Sequence, residues 1–323
     1  WSNRSYPAMT ALCLWAFARS DHTEKQTVCR KAADFIVGFA REDGGIYKPR
    51  SFFSRSGGLS TYNTAICMTA LHAYDSGKYA DLILKAREFV AGSQIKGDSP
   101  GAGGFGYEKG GGRRGRADLS NTGWALMSMR ATQNLEDLRP KGSKKADIEW
   151  KEALEYISRL QDRDSNDPVN YGGFGYSRSG ERAGTISGKE DKAVKLSSFG
   201  SMTYAGLESL IYARVDRDDP RVKSALAWAA RHWTVKENPG MGRKGLFYYY
   251  NVMAKALNAS RTEKLKSSSG GSTINWKKDI ITSLAASRNK DGSWVNSDNQ
   301  FWEGDPVLVT AYSVLTLQYA AGK

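Results

Sequence analysis

The side chains best placed for polar recognition or proton transfer recur at one kind of position. Six times the chain presents a short, small and apolar phrase led by Thr, with Val252 in place of Thr in the fifth copy. The residue just before it is Met9, Asn63, Asn121, Met202, Asn251 or Val309, half amide and half apolar. Amides at the starts of enclosed helices would give a pocket floor that hydrogen-bonds without carrying charge. The same Asn residues would serve equally as helix caps. Around them, Tyr62, Tyr204, Tyr250, Glu303 and Asp305 are the nearest groups able to exchange a proton.

Positioning these residues requires a repeat. Ahead of the phrases stand loops carrying Gly44-Gly45-Ile46-Tyr47, Gly103-Gly104-Phe105-Gly106-Tyr107, Gly172-Gly173-Phe174-Gly175-Tyr176, Gly245-Leu246-Phe247-Tyr248 and Asp291-Gly292-Ser293-Trp294. The phrases themselves, such as Ala65 to Leu71, Trp124 to Met129 and Thr310 to Leu317, are apolar or small on nearly all sides, which predicts helices enclosed by others. Between them lie amphipathic segments marked by Val28, Ala32, Phe35, Ile36 and Phe39, by Leu82, Ile83, Ala86, Phe89 and Val90, by Ala153, Leu154, Ile157 and Leu160, by Val222, Ala225, Leu226 and Ala229, and by Trp276, Ile280, Ile281 and Leu284. Six inner and five outer helices alternate. The last helix is as apolar as the middle ones, whereas an open stack would end in polar capping repeats, so the expected architecture is a closed all-α toroid forming one domain over 1–323. Stretches rich in Gly, Ser and Lys at 110–116, 177–195 and 264–272 read as mobile loops inserted into the repeat.

Cys13, Cys29 and Cys67 fall at apolar helical positions without C-x-x-C spacing and read as buried free thiols. No run reaches the roughly 18 apolar residues of a membrane-spanning helix, so a soluble protein is expected. The chain begins at Trp1 rather than Met, which fits a mature or trimmed form and allows a secreted or periplasmic location.

The formal net charge is +13. The four loops from the first Gly-Gly to the fourth hold 14 of the basic residues and 4 acidic ones, among them Lys48, Arg50, Lys109, Arg113, Arg114, Arg116, Arg178, Arg182, Arg243 and Lys244. These loops join the starts of the inner helices, where helix dipoles add partial positive charge, so that end is expected to attract an anionic small molecule or polyanion. Aromatic residues interleave there, including Tyr107, Tyr248, Phe301 and Trp302. Specific nucleic-acid binding is not expected, because the basic residues lie in irregular loops without a recognition motif.

Several phrases resemble the prenyltransferase and squalene-cyclase repeat proteins, especially single-toroid squalene-cyclase-like proteins of bacteria. They are Ser198-Phe199-Gly200-Ser201-Met202-Thr203-Tyr204-Ala205-Gly206-Leu207, Asn238-Pro239-Gly240-Met241-Gly242, Gly245-Leu246-Phe247-Tyr248-Tyr249-Tyr250, and Asp291-Gly292-Ser293-Trp294 with Phe301-Trp302-Glu303-Gly304-Asp305-Pro306. The resemblance spans nearly the whole chain and implies an α6/α6 barrel.

In the cyclases of that group a D-x-D-D-T-A motif at an inner-helix start supplies the acid. The matching stretch here is Asp118-Leu119-Ser120-Asn121-Thr122-Gly123, with Ser120 where the acid would stand; Asp118 is also what a helix N-cap requires. A literal D-x-D-D occurs at Asp216-Arg217-Asp218-Asp219, but Pro220 follows it and predicts the start of an outer helix. The zinc ligands of protein prenyltransferases have no match: Thr203 stands where Cys would and Val309 where His would, while His22, His72 and His232 read as surface or packing residues. The candidate catalytic set is therefore Asp118, Asn121, Tyr204, Tyr250 and Asp305. The candidate ligand-binding set is Asn63, Asn251, Arg113, Arg114, Arg116, Arg178, Arg182 and Trp302, with no metal and no cofactor. Three functions fit these residues: a protein binding an anionic ligand such as an isoprenoid diphosphate, a lyase or other carbohydrate-active enzyme for acidic polysaccharide, and a non-catalytic interaction module.

Overall fold

The computed structural model describes residues 1, 3–51, 56–114, 116–177, 185–187, 193–195, 198–266 and 273–322. Helices dominate them. In chain order these are α1 (Pro7–Ala18), α2 (Lys25–Val37), α3 (Ser60–Asp75), α4 (Ala80–Ala91), α5 (Leu119–Ala131), α6 (Trp150–Leu160), α7 (Gly200–Tyr212), α8 (Pro220–Arg231), α9 (Leu246–Ala259), α10 (Trp276–Ser287) and α11 (Pro306–Ala320). The odd-numbered helices carry the repeated phrases and are buried along most of their length, as in α5 from Asn121 to Met129. The even-numbered ones bury one face, as α4 does with Ile83, Ala86, Phe89 and Val90. Two residues expected on those faces point outward instead: Phe35 is 36% and Ile281 43% exposed, the former against Phe39 at 5.0 Å. Each neighbours a better-placed apolar residue, Ile36 and Ile280, and a helix turns about 100° per residue.

Two antiparallel ladders lie in the long inserted stretches, where the sequence suggested only loops. β1 (Thr185–Ser187) pairs with β2 (Ala193–Lys195), and β3 (Leu265–Lys266) with β4 (Thr273–Ile274). The segments 178–184, 188–192 and 267–272 lie outside the described residues.

The chain divides into two compact units, Trp1–Tyr156 and Ile157–Lys323, with the division inside α6. In the first, α1 packs on α2 and α3, and α3 on α4 and α5; in the second, α7 packs on α8 and α9, and α11 on α9 and α10.

The repeated Thr is a clamp. A loop amide buried beside a helix must find an acceptor, and the Thr hydroxyl supplies it. Thr64 Oγ1 accepts from the Ile46 N–H at 2.9 Å, Thr122 from Phe105 at 3.0 Å, Thr203 from Phe174 at 3.1 Å and Thr310 from Trp294 at 3.1 Å. In every case the donor is the residue that follows the two-residue turn of the same repeat. Thr64, Thr122 and Thr203 each donate back one turn, to the carbonyls of Ser60, Asp118 and Phe199. The fifth copy needs no Thr, because α9 begins at Leu246 and its Gly-aromatic loop merges with the helix.

The first Gly of each pair has φ of 85°, 84° and 91° at Gly44, Gly103 and Gly172. A Cβ there would stand 2.5, 2.1 and 2.2 Å from the carbonyl oxygens of Lys85, Glu152 and Ser224, all in the amphipathic helix that follows. The second Gly lies under an aromatic ring one turn further along that helix, Phe89, Tyr156 or Trp228. Gln94 and Gln161 tie the same turns by donating to the carbonyls of Gly103 and Gly172.

At the far end of the first unit a buried ion network fixes the chain after α5. Arg87 is 1% exposed and reaches Glu136 at 2.6 Å, the carbonyls of Met129 and Ala146, and Thr132 Oγ1; Glu136 also takes Arg139 at 2.6 Å and the Ala146 N–H. Burial opposes the charge on Glu136, but the hydrogen bonds from Arg139, Arg87 and Ala146 outweigh it and hold its pKa below the ordinary value.

The Thr clamps give a direct test. Thr122→Val and Thr203→Val each orphan a buried N–H and are expected to lower unfolding free energy by about 1–3 kcal/mol in urea denaturation followed by circular dichroism. Thr10→Val is expected to be neutral within about 0.5 kcal/mol, since the Thr10 hydroxyl has no partner among the described residues.

Candidate functional site

The starts of the phrase helices were expected to add partial positive charge at one end, with the Asn residues open either to a ligand or to capping and Asp118 open to capping. Each start carries a protein acceptor. Asn63 Oδ1 accepts from Ala8 N at the start of α1 (3.1 Å). Glu108 accepts from Leu59 N (2.7 Å), Ser60 N and Ser60 Oγ at the start of α3. Asp118 accepts from Asn121 N (2.9 Å) at α5, Asn238 Oδ1 from Ser201 N (2.9 Å) at α7, and Asp305 from Val307 N (2.8 Å) at α11. Glu303, fully buried, accepts from Phe247 N (3.2 Å) and Tyr248 N (2.7 Å) at α9, and from Asn296 Nδ2 at 2.7 Å. Burial pushes the Glu303 carboxyl above its ordinary pKa, and these hydrogen bonds pull it back. The side-chain acceptors at the helix starts hold the very groups that would otherwise bind an anion.

The sequence-derived candidates thus separate. Asn63 is fully engaged, its Nδ2 donating to the carbonyls of Gly58 and Leu59. Asp118 and Asn121 hold each other through Nδ2 at 2.7 Å. Tyr250 donates to the Val235 carbonyl and lies 3.0 Å from Ser283 Oγ, with its pKa raised by burial. Arg113 and Arg114 end the 3-10 turn Lys109–Arg114, and Arg116 is exposed just beyond it. Arg178 and Arg182 lie outside the described residues. His72 Nε2 lies 3.3 Å from Asn134 Oδ1, and the His232 ring lies tilted against Trp228 at 4.4 Å with its Nε2 2.9 Å from the Val169 carbonyl oxygen. Cys13, Cys29 and Cys67 are all buried.

Tyr204 and Asn251 stand on α7 and α9, helices that pack on each other, with the Tyr204 ring 5.8 Å from that of Tyr249 on α9. One turn further along the same faces stand Glu208 and Lys255, whose Oε2 and Nζ are 3.3 Å apart. Sequence reasoning passed over this pair; its signal was a Glu and a Lys inside phrases that are otherwise apolar. Burial raises the pKa of Tyr204 and Glu208 and lowers that of Lys255, with the Glu208–Lys255 attraction opposing the last two shifts.

A second arrangement surrounds the start of α9. Arg243 and Lys244 are exposed immediately ahead of it. Beside them Phe301 and Trp302 are 43% and 52% exposed with φ of 58° and 69°, and Phe301 lies over Gly245. The left-handed backbone follows from Glu303, which must turn inward to reach α9 and so directs its two predecessors outward. The Tyr248 and Tyr312 rings are 6.0 Å apart at the same end. Within the first unit, a cleft of about 620 Å³ opens at the opposite end of α3 and α5, lined by His72, Arg87, Arg130, Asn134, Glu136 and Lys145 among others.

Residues 3–142 match the family model of the squalene-hopene cyclase C-terminal domain. No curated protein sequence matches the chain. Among solved structures, protein geranylgeranyltransferase-I of Candida albicans aligns with a TM-score of 0.58, covering 97% of this chain and 83% of that one at 14% identity. A variant of the type II terpene cyclase MstE from Scytonema aligns with a TM-score of 0.55, covering 98% and 88% at 11% identity, and the apo form of MstE gives 0.54 at 12%. The chain has the α/α-toroid fold of terpene cyclases and protein prenyltransferases. The resemblance carried by the sequence phrases therefore holds, and with it the all-α toroid class. In this terpene cyclase-like chain the literal D-x-D-D opens α8, as Pro220 predicted: Asp219 caps the helix, accepting from Arg221 N at 2.8 Å and pairing with the Arg221 guanidinium at 2.7 Å.

That cap is testable by pH. Hydrogen bonding to Arg221 depresses the Asp219 pKa from 3.8 to about 2. A depressed carboxylate stabilises the fold above its unfolded value and loses that contribution as pH falls through the folded one. Asp219→Ala is expected to cost about 1 kcal/mol at neutral pH, with the difference from wild type closing between 3.8 and about 2 in urea titrations.

Proposed function

We propose that the protein binds an isoprenoid with an anionic head group of the diphosphate kind. The supporting observation is the arrangement around the start of α9: two exposed cations, Arg243 and Lys244, beside exposed Phe301 and Trp302, with Tyr248 against Tyr312. Cations can neutralise a phosphate group, and aromatic surface suits a polyunsaturated hydrocarbon chain. Two proteins of this fold were captured with related molecules: the geranylgeranyltransferase with GGPP and MstE with geranylgeranyl dihydroxybenzoate. The reading uses neither a D-x-D-D acid nor a zinc-bound thiol.

Because the helix-start amides are capped, the head group would be held by side chains. Affinity should therefore depend on salt and on these cations. Titration of geranylgeranyl diphosphate, followed by intrinsic tryptophan fluorescence, is expected to show saturable binding that the Arg243→Ala/Lys244→Ala variant weakens roughly tenfold or more. Absence of binding, or a double variant that binds as wild type does, overturns the reading.

A further inference from the structure

Two buried ion networks stand among the described residues, one around Arg87 and Glu136 and one at Glu208 and Lys255, and they differ in one respect. Around Arg87 and Glu136, Nε, Nη1 and Nη2 of the arginine and both carboxylate oxygens have partners. Around Glu208 and Lys255, 2% and 4% exposed, the network is incomplete. Glu208 takes Lys255 and the Tyr212 hydroxyl, yet its Oε1 has no partner among the described residues. The Tyr204 hydroxyl and both the Oδ1 and Nδ2 of Asn251 have none either, at 1% and 0% exposure. Buried polar groups in folded proteins are paired as a rule, so four unpaired atoms on two facing helices mark a place for a missing partner.

The repeat sharpens the point. One residue after the Thr position the copies carry Ala11, Ala65, Gly123, Tyr204, Met253 and Ala311. Three after it stand Cys13, Cys67, Ala125, Gly206, Lys255 and Ser313, and five after it Trp15, Thr69, Met127, Glu208, Leu257 and Leu315. Tyr, Lys and Glu enter these positions once each, and all on α7 and α9. Asn63 and Asn121 each spend their amide on a neighbour, whereas Asn251 does not. A purely structural pair would gain from closing its network as the Arg87 pair does.

We propose that Tyr204, Glu208, Asn251 and Lys255 form a site for the hydroxyl or carbonyl oxygen of an uncharged ligand lying between α7 and α9. Glu208 and Lys255 cancel each other's charge, so the site favours a neutral group over an ion. Asn251 offers a donor and an acceptor together, and Tyr204 either one, which a hydroxyl can satisfy at both ends. The nature of the ligand's hydrocarbon part rests on the isoprenoid reading above.

The test compares geranylgeraniol with the same hydrocarbon chain ending in a methyl group, using geranylgeranyl diphosphate as control, on the full chain. Wild type is expected to bind the alcohol at least about tenfold more tightly than the hydrocarbon, because a site with unpaired polar atoms rejects an analogue lacking the hydroxyl. Tyr204→Phe and Asn251→Leu are expected to bring that ratio below about threefold while diphosphate affinity stays within about twofold. If Asn251→Leu does not fold, Tyr204→Phe carries the test. A wild-type ratio near one, or a ratio unchanged in the variants, overturns the site. Diphosphate binding without alcohol preference sinks this site alone; alcohol preference without diphosphate binding sinks the anionic head group and leaves this site standing.

Discussion

A buried backbone N–H has to find an acceptor, and in this chain a single hydroxyl supplies it repeat after repeat. The Thr clamp joins a turn to the helix that follows it, so the turn cannot move without exposing an amide in an apolar setting. Everything else in the repeat is arranged around that bond. The positive-φ glycine brings the turn against a carbonyl of the next amphipathic helix, the second glycine makes room for an aromatic ring, and a Gln ties the turn from behind at two of the copies. Each element is simple, and the geometry leaves little freedom.

The same rule governs the helix starts. Helix N-termini attract anions when their amides are unoccupied. Here Asn63, Glu108, Asp118, Asn238, Glu303 and Asp305 occupy them, and four of those six side chains are carboxylates. The backbone amides at these starts are therefore taken, and any attraction for an anion has to come from Lys and Arg side chains. That shifts attention from the phrases to the loops, and within the second unit to Arg243 and Lys244 beside the outward-facing Phe301 and Trp302.

Much of the fold was legible because its signals are local and repeated. Helix order, the enclosed and amphipathic characters, the capping role open to Asp118 and the Asp219 cap behind Pro220 all follow from periodicity and turn chemistry. Asn63 shows where that reading stops: its partner is the amide of Ala8, in another helix, and nothing in the spacing reveals which helix start an amide will serve. Glu303 is similar, since a carboxylate in a loop gives no sign that it will complete a helix beginning at Leu246. The Glu208–Lys255 pair was visible as an anomaly inside apolar phrases, but its closeness depends on how α7 and α9 pack. The strands in the inserted stretches are too short and too polar to stand out from loops.

Four of the helix-start acceptors belong to a later repeat than the helix they complete: Asn63 serves α1, Glu108 serves α3, Asn238 serves α7 and Glu303 serves α9. The dependence runs one way along the chain. During synthesis, an emerging helix keeps an unsatisfied end until the next repeat has left the ribosome and docked on it. Successive repeats are thus links that latch backward, and assembly within each unit acquires a direction from N- to C-terminus that sequence order alone would not impose.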